Sequence, residues 1–81
     1  MASITEAFSG DRLRDIRERA GLYQHDVAAR LTAKGIPTHQ SAVSHWENGR
    51  QAPLVATLKA LAEVLDVELD DLLDTESASA R

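Results

Sequence analysis

The chain has 81 residues, a net charge of −4, no cysteine and a single tryptophan. This length allows one small domain with little room for an enclosed substrate cavity, and the missing cysteines exclude disulfides and thiolate metal sites. No apolar run approaches the ~20 residues of a membrane span, and the start MASITEAFSG lacks a secretory pattern, so a cytoplasmic protein away from any membrane is expected.

Residues 1–8 read as a flexible tail. Five apolar-periodic stretches follow within 9–73, without strand signals or internal repeats, which predicts an all-α domain of five short helices. The first runs from about Arg12 to Ala20, with Leu13, Ile16, Arg17 and Ala20 on one face. Ser9 can cap it, Asp11 suits its first turn and Gly21 stops it. The second starts near Gln24, turns Val27, Ala28 and Leu31 inward, and ends by Gly35. The third follows Pro37. The fourth begins at Pro53, a residue suited to a first turn, and carries Val55, Leu58, Leu61, Ala62 and Leu65 as its stripe. The fifth is brief, with Leu69, Leu72 and Leu73. Residues 74–81, DTESASAR, read as a second flexible tail. Tyr23, Leu54 and Glu68 stand where capping residues are preferred, a deficit of about 1 kcal/mol each.

Charge is polarised along the chain. Residues 12–50 hold seven basic and four acidic residues, whereas 51–81 hold two basic and seven acidic. The basic middle suits a polyanion, and the acidic end suits a basic partner.

The third stretch, THQSAVSHWENG, holds two of the three histidines and the tryptophan. At about 100° per residue, Gln40, Ser41, Ser44, His45 and Asn48 share one face. Ala42, Val43 and Trp46 take the other, with Glu47 at its margin. The polar face carries no Lys or Glu, which a solvated face would favour. Its amide and hydroxyl groups both donate and accept hydrogen bonds, as reading base edges in a major groove requires. Glu47 and Arg17 occupy inward positions on different helices, which predicts a partly buried ion pair, since either charge buried alone would be costly.

Catalysis and metal binding fit less well. Ser41 and His45 stand at i, i+4, but lack an acidic orienter on that face, a Gly-rich elbow and a pocket. His39 and His45 lie about 240° apart on a helix and cannot converge on zinc. No enzyme activity and no cofactor are expected.

The ordered set Gly21-Leu22-x-Gln24, then Val27, Ala28 and Leu31, then Ser41-x-Val43-Ser44-x-Trp46-Glu47-Asn48-Gly49-Arg50, then Pro53 and Leu58-x-x-Leu61-Ala62 resembles the lambda-repressor-like helix-turn-helix family, also called the Cro/repressor or XRE family. The resemblance spans residues 9 to 73. It implies five helices, with the second and third forming the helix-turn-helix and the third entering the major groove of double-stranded DNA. It also implies a homodimer on a palindromic operator, acting on transcription, most simply as a repressor. Carried over by position, His39, Gln40, Ser41, Ser44 and His45 would face bases. Gln24, Asn48 and Arg50 would hold phosphates, Arg17 and Glu47 would form the family's internal ion pair, and Val43 and Trp46 would be core. Two departures stand out. The segment Thr32–Thr38 is longer than the family's tight turn by about four or five residues, which leaves Thr38 or His39 as the cap of the third helix; Tyr23 replaces a Ser/Thr cap. An antitoxin or anti-regulator acting through a protein partner is the alternative on the same fold.

Overall fold

The computed structural model describes residues 4–74. Four α-helices follow one another: α1 (Gly10–Arg19), α2 (Gln24–Ala33), α3 (Gln40–Glu47) and α4 (Val55–Leu65). Short 3-10 turns at Ile4–Ala7 and Leu69–Leu72 flank them.

The expected fifth helix is therefore only a 3-10 turn. Its leucines fit either geometry, because residues three apart also align in a 3-10 turn. Asp70 and Asp71 are weak helix formers, and Leu73 leaves the turn in extended conformation. Leu73 pairs with Phe8 in an isolated antiparallel bridge. Ser9 N–H donates to Leu72 O (2.9 Å) and Asp74 N–H to Ala7 O (2.6 Å). The segment 1–8, expected as a tail, is thus structured from Ile4 onward, because Phe8 finds a backbone partner at the other end of the domain. The remaining tail residues, 1–3 and 75–81, lie outside the described residues.

Helix boundaries follow local chemistry. Ser9 Oγ accepts the Arg12 N–H (3.2 Å) at the start of α1. At its end Gly21 adopts φ +74°, and the Gly21 and Leu22 N–H groups donate to Glu18 O and Arg17 O. This is the Schellman closure, whose left-handed residue favours glycine. Helix α4 closes the same way on Asp66, at φ 58°. The caps missing at Tyr23 and Glu68 are replaced from three residues downstream: Asp26 accepts the Tyr23 N–H (2.7 Å) and Asp71 the Glu68 N–H (3.0 Å).

The core gathers Leu13, Val27, Leu31, Val43, Leu58, Leu61 and Leu72, all fully buried, with Trp46, Leu65 and Leu73 nearly so. Each such side chain contributes about 1.5–3 kcal/mol through burial. Two expected core residues face outward. Ala20 is exposed because α1 has already ended there, and Val55 is exposed at the first turn of α4, beside an exposed Leu54. Helix α3 packs on α2 and α1, whereas the acidic turn Leu69–Leu72 packs on α1 and α4.

Candidate nucleic-acid interface

Helix α3 presents its polar face outward as its residue pattern demands. Gln40, Ser41 and Asn48 are exposed and Ser44 and His45 half-buried, while Val43, Trp46 and Glu47 are buried. Its eight residues begin one position after His39, which is the N-cap. The His39 Nδ1 accepts the Ser41 N–H at 3.0 Å and lies 2.9 Å from Ser41 Oγ.

The long connection before it is a built element. Gly35 turns the chain out of α2, and Ile36 packs against the core. Thr32 Oγ1 donates to Ala28 O and accepts the Thr38 N–H (3.1 Å), and Thr38 Oγ1 donates to Ile36 O (2.7 Å). These bonds fix the approach to His39 and hence where the helix starts.

The other end of α3 is anchored by charge. The Glu47 carboxylate accepts Arg17 Nε at 2.5 Å and Arg17 Nη2 at 3.0 Å. Arg17 is 9% exposed and Glu47 3%, so this is the buried pair expected from their inward positions. Arg17 Nη1 also donates to Leu22 O (2.9 Å). Burial alone pushes the Glu47 carboxyl up, but hydrogen bonds from Arg17 and Gln24, and the Arg17 charge, outweigh it and hold it below the ordinary value. The same hydrogen bond raises the Arg17 guanidinium against its own desolvation.

Gln24 and Asn48, expected on phosphates, already have protein partners. Gln24 Nε2 donates to Glu47 Oε1 (3.0 Å). Asn48 Oδ1 accepts Arg14 Nη2 (2.9 Å), and Asn48 Nδ2 donates to Ser44 Oγ (3.3 Å). Each amide keeps a further N–H for another acceptor. Arg50 is exposed just past α3, and its own N–H closes the helix on His45 O (2.9 Å).

Two residues of this junction went unassigned in the sequence. Arg14 bonds Asn48 and sits 3.5 Å from Glu47. Gly10 lies so close to the end of α3 that a Cβ there would stand 2.3 Å from Trp46 O and 2.8 Å from Glu47 O. The available signal was spacing: Gly10, Arg14 and Arg17 recur at i, i+4 and i+7 on one side of α1.

A helix-turn-helix family model matches residues 13–72. The chain belongs to that family, of the XRE, Cro/repressor-like type. Among solved structures it is similar to the restriction-modification controller protein C.AhdI from Aeromonas hydrophila. The two are 27% identical with a TM-score of 0.70, over 86% of this chain and 96% of that one. No curated protein matches the chain. Family and likeness together point to DNA-binding regulation of transcription. Among the described residues no helix is long and apolar enough to cross a membrane.

Proposed function

We propose that the chain is a sequence-specific regulator of transcription in the cytoplasm that binds double-stranded DNA as a homodimer on a palindromic operator, most simply as a repressor and without enzyme activity. The observation that carries this reading is the outward face of α3. Its exposed groups are amides, hydroxyls and imidazoles, anchored from behind by Val43, Trp46 and Glu47. Helix α3 lies in the major groove, with His39, Gln40, Ser41, Ser44 and His45 toward base edges. Arg50, together with the free amide hydrogens of Gln24 and Asn48 and the start of α2, holds phosphates and sets the register.

Selection of bound sequences from a random duplex pool tests this. Half-sites about 34 Å apart are expected for a dimer. Gln40→Ala is expected to cost about 1–3 kcal/mol on the selected site and to relax one base position. An unchanged base profile in that variant refutes the assignment, and a pool that yields no enriched sequence moves the reading to a protein partner. C.AhdI is a restriction-modification controller, which makes that setting the first to compare with the selected sites.

A further inference from the structure

The His39 ring has no freedom to choose its tautomer. A backbone N–H can only donate, and the Ser41 N–H points at His39 Nδ1 (3.0 Å). Nδ1 therefore carries a lone pair, and the proton of the neutral ring sits on Nε2. The same logic orients Ser41. Its Oγ is 2.9 Å from a nitrogen that has no proton, so a hydrogen bond between the two runs from the hydroxyl to Nδ1, sharing the one lone pair that also faces the Ser41 N–H. What remains outward on Ser41 Oγ is lone pairs. Both residues are exposed, on either side of Gln40 at the first turn of α3, and the Thr32–Thr38 clamp fixes the backbone just before them.

We infer that His39 and Ser41 act as one specificity unit of fixed polarity: His39 presents a donor and Ser41 presents an acceptor to the edges of neighbouring bases. This rests on the proposed insertion of α3 into a major groove. A serine in isolation serves any base edge, because its hydroxyl can turn. Here the hydroxyl turned toward the ring leaves lone pairs outward, so Ser41 selects an exocyclic amino group, adenine N6 or cytosine N4, on the strand it faces. His39 Nε2–H selects acceptors, with guanine N7 and O6 offering two, and discriminates against the cytosine amino group. Gln40 between them carries both kinds of group and is free of this constraint.

Two measurements test the inference, one of them without DNA. Nitrogen-15 NMR of the free protein should show the neutral form of His39 with a pyridine-type Nδ1 and a pyrrole-type Nε2. A neutral ring protonated at Nδ1, or a mixture of the two tautomers, overturns the inference. Duplex selection with the parent, Ser41→Ala and His39→Asp then reads the polarity. His39→Asp keeps an acceptor for the helix N–H while removing the outward donor. At the base pair that Ser41→Ala relaxes, replacing adenine by purine, or cytosine by 2-pyrimidinone, deletes the exocyclic amino group and should weaken the parent severalfold while leaving Ser41→Ala unaffected. No loss in the parent, or an equal loss in Ser41→Ala, overturns the assignment of Ser41. At a neighbouring guanine, replacement by 7-deazaguanine should weaken the parent and leave His39→Asp unaffected, and an equal loss in both proteins overturns the assignment of His39. If NMR shows the expected tautomer and the pool enriches no sequence, the DNA reading fails and the base assignments with it, while the locked ring stands.

Discussion

Glu47→Ala removes the carboxylate on which Arg17, Gln24 and Arg14 converge. Arg17 would keep its bond to Leu22 O and the distant Glu18 carboxylate at 3.8 Å, but lose both close bonds to its counter-charge. Two charge-assisted hydrogen bonds at about 1.5–3 kcal/mol each would sum to about 3–6 kcal/mol. They act as one unit, so simple addition overstates the loss. Breaking a buried pair by removing one partner costs about 3–5 kcal/mol. The remaining exposure of Arg17 lets some water in, which favours the lower end, about 3 kcal/mol. A domain of this length has a total stability of about 4–12 kcal/mol, so the variant should keep about 1–9 kcal/mol and approach unfolding at the lower end of that range. Urea unfolding followed by circular dichroism measures it, with an unchanged slope expected against denaturant. The control is Arg17→Met combined with Glu47→Leu, which replaces both charges by apolar groups and should recover most of the loss. A loss below about 1 kcal/mol in Glu47→Ala, or a double variant as unstable as the two single changes added together, would refute the reasoning.

Gly10→Ala should destabilise by about 1–3 kcal/mol, because its Cβ would meet the backbone oxygens of Trp46 and Glu47; a melting temperature equal to the parent's would show that α1 and α3 can part freely. Asp66→Gly should stabilise by about 0.5–1 kcal/mol, since Asp66 holds φ 58° and places a negative charge at the C-terminus of α4; a thermal shift downward would contradict this. The Glu47 carboxyl is held below its ordinary value, so its stabilising contribution is present above about pH 4.3 and is lost as pH falls through the folded value. The stability gap between parent and Glu47→Gln should therefore narrow on acidification below that point, and a constant gap would disprove the linkage. Arg50→Ala should weaken binding to all duplexes alike and reduce the salt slope by about one unit; a changed base preference would place Arg50 on a base instead.

The parts legible in the sequence are those where one residue's chemistry leaves a single option. Arg17 and Glu47 at inward positions had to meet, and they do. Gly21 and Gly35 marked helix ends and take positive φ there. The split of α3 into a Val43–Trp46 face and a Gln40–Ser41 face followed from periodicity alone. The misread parts depend on how elements cross. Gly10 looks like an ordinary residue ahead of a helix until α3 is laid against it. Val55 fits an apolar stripe by spacing, yet α4 begins at that residue and its first turn reaches solvent. Phe8 and Leu73 pair across almost the whole domain, a partnership that no local pattern encodes. His39 escaped a firm assignment as cap because imidazole is not among the preferred capping groups. Its role depends on the ring turning Nδ1 inward to Ser41.

The bridge between Phe8 and Leu73 also gives the domain a mechanical character. The two segments run antiparallel, so the chain enters and leaves at the same end of the bridge. Tension between the termini loads the two backbone bonds one after the other. The Asp74–Ala7 bond parts first and the Ser9–Leu72 bond second. Such a junction opens like a zipper at low force, where a sheared pair would resist with both bonds at once. Once it opens, the pull passes to Ser9 and the first turn of α1, and from there to Gly10 against the end of α3. Strain applied across this bridge would therefore reach the end of α3 through Gly10 and the first turn of α1.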